Sequence, residues 1–296
     1  MELQRREIVG KASGPHLLIT GGVHGDEFEP MAAIRELMAR VEPANLRGKL
    51  TLVPVVNEPA FLRGQRTAED NLDLARTCPG RADGSITEQI ADALSRLIRS
   101  ADYYIDLHTG GTAFTLLPLV GYMLHPNADV LAAQRRMARA FQVPLVWGTS
   151  PHHNGRSLSV ARDANIPSLY AEWGGGGGCD PAGVEGYVAG CLSVMAELGM
   201  MDYRHPTPIT PQVVEDAREN SGHLQICNTS PCDGFFEPSV KLGNHVKPGD
   251  RLGTVVDLLG NVRHEIIAAQ TGLVFCLHTF RRVKKDLAVA VILEGA

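Results

Sequence analysis

Over its first two hundred residues the chain alternates short apolar runs with stretches whose apolar positions recur every three or four residues. That is the pattern of strands alternating with amphipathic helices in a layered α/β sheet. Leu17 to Thr20, Leu50 to Val56, Tyr103 to Leu107, Leu116 to Val120 and Ser168 to Ala171 read as strands. One helix is predicted to gather Met31, Ile34, Leu37, Met38 and Val41 on one face, with Pro30 where a first turn tolerates it. A second opens on the capping box Ser85 to Glu88 and buries Ile90, Leu94, Leu97 and Ile98. A third starts at Asp180-Pro181 and carries Val184, Tyr187, Val188, Cys191, Leu192, Met195 and Leu198.

The texture changes after Met201. His205 to Pro211 holds three prolines, which no helix or central strand could cross. The remainder of the chain is turn-rich and strand-like: Phe235 to Pro238, Leu252 to Leu259 and Leu273 to Leu277, with Lys247-Pro248-Gly249-Asp250 as a turn. The expected organisation is an α/β domain over residues 1–215 and a small all-β domain over 216–296. The turn at Val246 to Asp250 resembles that of biotinyl and lipoyl domains, but no lysine-bearing hairpin tip comes after it, which argues against a carrier.

Composition narrows the functional classes. A net charge of -5 gives no reason to expect nucleic acid as a partner. No unbroken apolar run approaches the ~20 residues of a membrane span, and the polar start Met1 to Arg6 lacks a signal-peptide core, so a cytoplasmic protein is expected. The six cysteines include no C-x-x-C pair, which fits reduced thiols rather than a disulfide framework or a cysteine-based metal site.

The sharpest chemistry comes directly after the first strand, at Gly21-Gly22-Val23-His24-Gly25-Asp26-Glu27. An apolar run that exits into glycines and then offers His and Glu three positions apart supplies two ligands of a zinc site. A catalytic zinc wants three N/O ligands and one open position. Tyr104-Ile105-Asp106-Leu107-His108 is a second strand ending in His and glycines, and both exits belong at the carboxyl rim of the sheet, where α/β sites form. An isolated His beside a strand is more often a hydrogen-bonded structural residue. Two converging exits favour ligation. Asp106, two residues before His108 and so on the same strand face, could orient that imidazole through its second nitrogen.

Loop-like segments after the second strand bring Arg66, Asp73 and Arg76 toward the same rim. A guanidinium there can grip a carboxylate or stabilise an oxyanion; otherwise both arginines are solvated surface residues. Glu172 ends a third strand that runs out into Trp173 and five glycines, and a carboxylate beside a metal can take a proton from water and return it to a leaving amine. Arg162 either shares that wall or caps a helix.

Gly22-Val23-His24-Gly25-Asp26-Glu27, Asp73-Leu74-Ala75-Arg76, Asp106-Leu107-His108 and Ala171-Glu172 stand in the order and approximate spacing of the succinylglutamate desuccinylase/aspartoacylase family, a branch of the zinc-carboxypeptidase-like, M14-type fold. The resemblance covers nearly the whole chain. It implies a three-layer αβα mixed-sheet domain followed by a small β domain, with one zinc ion per chain held by His24, Glu27 and His108. It further implies Glu172 as general base and acid, Arg66 beside the scissile carbonyl, and Arg76, Arg162 and Asp73 as substrate-binding residues. One departure is plain: the family pattern commonly has Asn where this chain has Ala75. The segment from Asn71 to Gly80 looks closer to the subgroup of N-acetyl-diaminobutyrate deacetylases of ectoine breakdown than to aspartoacylase.

The expected activity is a zinc-dependent deacylase that cleaves the amide of a small N-acylated amino acid, with no nucleic-acid or membrane partner and with homo-oligomerisation left open. Two alternatives stand beside it. One is a metallocarboxypeptidase, against which the covering β domain argues; the other is a non-catalytic zinc-site domain that binds a metabolite, which would not need Glu172.

Overall fold

The computed structural model describes residues 1–224 and 227–295. The first part of the chain runs β1 (Arg6–Val9), β2 (Ala12–Thr20), α1 (Phe28–Arg40), β3 (Arg47–Val53), α2 (Glu58–Arg63), α3 (Ile86–Arg99), β4 (Tyr103–His108) and β5 (Phe114–Met123). It continues with α4 (Ala128–Ala140), β6 (Leu145–Thr149), α5 (Ser157–Asp163), β7 (Ser168–Gly175), α6 (Pro181–Glu197) and β8 (Gln212–Glu215). Beyond these come β9 (Gly234–Pro238), β10 (His245–Val246), β11 (Arg251–Val256), β12 (Val262–Ile267), β13 (Gly272–His278), β14 (Arg282–Val283) and β15 (Ala290–Leu293). Among the described residues no helix is long and apolar enough to cross a membrane.

The main sheet is mixed. β3, β2, β4 and β7 are parallel neighbours, with β1 antiparallel at one edge and β5 antiparallel to β7 on the other side. β5 is long enough to pair twice more: its carboxyl half runs parallel to β6, while Phe114, Thr115 and Leu116 pair with β13. A second, four-stranded sheet has the order β12-β11-β9-β14. The C-terminal strands are therefore tied to the first sheet through β13.

Strand alternation sorts the core into layers. Leu17 and Ile19 of β2 pack with Ile34 and Leu37 of α1, Met137 of α4 and Tyr187 and Val188 of α6. Leu18, between them in sequence, packs on the opposite face with Ile90 and Leu94 of α3 and Val160 of α5. Helices thus cover both faces, and the fold is the expected αβα mixed-sheet architecture with a smaller β part after it.

The parallel strands all deliver their carboxyl ends to one rim, and the turns there are tight. The segment after β2 lies directly on α2: a side chain at Gly25 would sit 2.1 Å from the Ala60 carbonyl carbon, so only glycine fits. The loop that carries Arg66 to Arg76 is fastened by Asp70. Its carboxylate accepts from Thr87 N at 3.0 Å, Thr87 Oγ1 at 2.7 Å, Ser85 Oγ at 2.7 Å and Leu72 N at 3.3 Å. It thereby caps the first turn of α3, which Glu88 closes by accepting from Ser85 N at 2.8 Å.

Asp70→Ala should lower the unfolding free energy by about 1–2 kcal/mol in urea denaturation, the usual cost of a lost cap. Burial raises the Asp70 pKa, but the bonds from Ser85 and Thr87 outweigh it, and the folded value lies below the usual carboxylate value. The stabilisation should therefore be complete at neutral pH and fade as pH falls through that depressed value, below roughly 4. A wild-type-minus-variant difference that grows toward acid pH would contradict this assignment.

Candidate functional site

The site is built by register. β2, β4 and β7 lie side by side, so His108 stands opposite Glu172, and the turn after β2 arrives alongside them. His24, Glu27 and His108 each offer one ligand atom, all within 4.8 Å of one another. Glu27, the N-cap residue of α1, is 1% exposed, and its two oxygens are divided between the imidazoles. Oε1 lies 2.7 Å from His24 Nδ1; Oε2 lies 3.0 Å from His108 Nδ1 and accepts from Thr109 N at 3.2 Å.

Each imidazole also meets a carboxylate on its other side. His24 Nε2 is 3.0 Å from Asp73 Oδ1, and His108 Nε2 is 3.2 Å from Asp106 Oδ2. A neutral imidazole has one N–H, so it cannot donate to two carboxylates. If each Nε2–H is donated outward to Asp73 and Asp106, both Nδ1 lone pairs converge with the Glu27 oxygens on one point. Four electron-rich atoms around one buried point call for a cation. The donor set, two imidazole nitrogens and one carboxylate with the outer nitrogens fixed by carboxylates, suits zinc.

The electrostatics show how strongly this buried cluster draws positive charge, which protonated imidazoles or a bound cation can supply. Burial pushes the Glu27 pKa up, but His24 and His108 outweigh it and hold the carboxyl well below its ordinary range. For His108 burial acts downward, and Asp106 and Glu27 more than offset it, raising its pKa well above the usual imidazole value. Asp106 is further fixed by Thr20 Oγ1 at 2.8 Å and by Ser157 Oγ.

Glu172 differs from these acids. Its Oε2 is shut off from solvent and has no hydrogen-bond partner. Burial pushes its carboxyl up to about 8, with Glu27 and Asp106 adding to the rise while His108 and Arg66 oppose it. A cation among the imidazoles would draw that value down. Here, then, is a carboxyl that can hold or release a proton beside a cation site.

The arginines separate into two groups. Arg66 donates to Asp73 Oδ2 through Nη2 at 3.0 Å and Nε at 3.3 Å, and its Nη1 stands 4.0 Å from Glu27 Oε1. It borders the cavity with Arg76, whose Nη1 donates to the Ala75 carbonyl at 2.7 Å. Arg162 is not brought there. It sits in the last turn of α5, with its guanidinium on Pro151 O, on Asn154 Oδ1 at 2.8 Å and on Asp163. Arg156, at the start of the same helix, borders the cavity instead and donates to Gly222 O at 3.2 Å. Burial first, and then the positive charge of Arg76, brings Arg156 down to about 10, as expected where two guanidiniums share one desolvated wall. Asp73, expected against the substrate, is occupied by His24, Arg66 and the Ala75 N–H. Gly222 and Leu224 of the segment after β8 also line the cavity, a contribution for which no local sequence pattern is a sign.

Comparison with known proteins agrees with the geometry. Residues 13–198 match the model of the succinylglutamate desuccinylase/aspartoacylase catalytic domain. An N-alpha-acetyl-L-2,4-diaminobutyric acid deacetylase from Halomonas elongata is 30% identical over 97% of this chain and 84% of its own length. Solved structures share the fold, the following two among them. The product-bound ectoine utilization protein EutE (DoeB) from Ruegeria pomeroyi superposes with TM-score 0.89 at 29% identity, covering 97% of this chain and 87% of that one. A succinylglutamate desuccinylase/aspartoacylase from Rhodobacter sphaeroides gives 0.88 at 27%, covering 99% and 89%. With a buried His-Glu-His group and a facing carboxyl at the rim of that same fold, the chain belongs to the succinylglutamate desuccinylase/aspartoacylase family of amide-hydrolysing enzymes.

Proposed function

We propose that this enzyme is a zinc-dependent deacylase of a small N-acylated amino acid, with His24, Glu27 and His108 holding one zinc ion. The observation that carries the reading is the unpartnered, buried Glu172 Oε2 directly across from His108. Bound there, zinc supplies Lewis acidity toward a carbonyl oxygen and acidifies water. Glu172 takes the proton of the attacking water on its free oxygen and passes it to the departing nitrogen. Arg66, fixed by Asp73 and close to Glu27, faces the oxygen on which negative charge develops. Arg76 and Arg156 receive the substrate carboxylate. Asp73 and Asp106 act at one remove, by fixing the imidazoles.

Size supports a small substrate over a peptide. About 100 Å³ of space lies between the cavity's lining residues, and residues 216–296, which we propose as a separate cover beyond the α/β part, add Gly222 and Leu224 to that lining. Glu172 argues against a purely binding role, because a metabolite-binding site has no use for a buried carboxyl without a partner.

Metal analysis of purified protein should find one zinc per chain, and His24→Ala should lower that content by at least tenfold. Chelation should abolish turnover, and zinc should restore it. Full activity in metal-free protein would sink the proposal.

Glu172→Gln should retain zinc and lower kcat by about 10²–10⁴-fold, because an amide keeps the shape but cannot accept the proton. Retention of more than about a tenth of wild-type kcat would remove Glu172 from the mechanism. The arginines should part company in steady-state kinetics. Arg76→Ala and Arg156→Ala are expected to raise KM with a smaller change in kcat, as for a contact present in ground and transition states alike. Arg162→Ala should leave KM unchanged and instead cost about 1–2 kcal/mol of stability through the lost bonds to Pro151 and Asn154. An elevated KM in Arg162→Ala with none in Arg156→Ala would reverse the two roles.

A further inference from the structure

The cavity changes polarity along a line that strand register fixes. In one row across the sheet His108 pairs with Glu172, and Glu172 with Leu119. In the next, Asp106 stands opposite Tyr170, Tyr170 opposite Gly121, and Gly121 opposite Trp147. A third row sets Met123 against Thr149. Residues two apart on a strand share a face, so the row that starts at the imidazole reaches a leucine within two strands. Leu119, Met123, Trp147 and Leu158 all line the cavity beside Glu172, and Leu224 borders it from the segment after β8. Gly121 makes room for the Tyr170 ring, which a Cβ there would meet at 2.3 Å; the ring lies across the strand and brings its hydroxyl with it.

Charge is distributed just as unevenly. Among the described residues that line the cavity, the acids are Glu27, Asp106 and Glu172, and each belongs to the imidazole cluster. Apart from Glu172, which Leu119 flanks, the apolar half has none. The charged groups that remain are Arg66, Arg76 and Arg156, with Ala75 adding a methyl next to Arg76. An ammonium on the substrate's side chain would lose its hydration against leucine and tryptophan, with guanidiniums nearby and with no anion in compensation but Glu172, which the reaction itself uses. A side-chain carboxylate would compete with the α-carboxylate for the same arginines. A hydrocarbon chain meets neither difficulty, and each methylene it buries is worth about fourfold in binding.

We infer that the amine half of the substrate is an amino acid with an uncharged apolar side chain, leucine- or methionine-like, its carboxylate on Arg76 and Arg156 and its side chain against Leu119, Met123, Trp147 and Leu158. This rests on the deacylase reading above and narrows it. It also sets the chain apart, in side-chain preference, from the diaminobutyric acid deacetylase it resembles in sequence.

The test is binding, kept separate from turnover. Zinc-loaded Glu172→Gln protein is titrated by calorimetry with N-acetyl-L-leucine, N-acetyl-L-2,4-diaminobutyrate and N-acetyl-L-aspartate, and wild-type enzyme is assayed on the same three. The leucine derivative should bind at least tenfold more tightly than either charged analogue. Equal affinities, tighter binding of a charged side chain, or no binding of any of the three overturns the inference. If the leucine derivative binds most tightly yet wild-type enzyme hydrolyses none of them, the deacylase reading falls and the side-chain preference stands. Leu224→Asp, at a half-buried position, should narrow the leucine-over-diaminobutyrate ratio by at least fivefold; an unchanged ratio overturns the placement of the side chain on this wall.

Discussion

The Glu27 carboxylate is the group on which the rest of the site depends. It is buried, it carries charge, and it is shared between two imidazoles that come from different strand exits. A buried carboxylate survives only where its surroundings compensate it, and breaking one partner of such a group costs more than the pair ever contributed. That requirement fixes the geometry outward. His24 and His108 must present Nδ1 inward, so Asp73 and Asp106 must take the outer nitrogens. Asp106 in turn needs Thr20 and Ser157, while Asp73 needs Arg66 and the Ala75 N–H. The loop from Arg66 to Arg76 and the start of α5 are thus placed by the same carboxylate that sits at the centre.

Much of this was legible because the site lies where apolar runs stop. His24 and His108 stand just past or at the end of a strand that the sequence marks by apolar residues and then glycine; Glu172 follows such a run too, but β7 continues through the first glycines to Gly175, so the carboxyl lies within the strand, level with His108. Hydrophobic periodicity likewise marks α1, α3 and α6. β6 and α4 were harder to see. Leu145–Thr149 is five residues with no alternation, since it is buried on both faces, and α4 carries three arginines and a glutamine among its apolar positions. β12 has Arg263, His264 and Glu265 in its six residues, and His264 interrupts the one face on which Val262 and the buried Ile266 lie, so no alternation announces it.

The two arginines of α5 show where spacing alone fails. Arg162 stands ten residues before Glu172, a plausible distance, but a distance in sequence does not say which side of a helix a residue faces. Arg156 is the N-cap of α5, extended ahead of its first turn, while Arg162 sits in the last turn, and so the two guanidiniums reach different surroundings. The cavity gets the one at the helix start. The segment holding Gly222 and Leu224 illustrates a second limit. Its place beside the cavity depends on contacts between residues far apart in the chain, His153 Nε2 with Ser221 O at 2.5 Å and Ser150 N with Ser221 Oγ at 2.7 Å, and no local pattern encodes those.

The long strand β5 connects the chemistry to its selectivity. Its Leu119 lies beside Glu172, while Phe114 to Leu116 bond to β13 and Leu119 to Met123 bond to β6. One strand therefore presents the apolar wall, joins the C-terminal strands to the main sheet and flanks the proton-carrying carboxyl. Leu119 beside it adds to the burial of Glu172, and desolvation is the first cause of that carboxyl's raised pKa, which a cation among the imidazoles would draw back down. A polar substitution on this wall would consequently be felt twice, once in what the cavity accepts and once in how readily Glu172 gives up its proton.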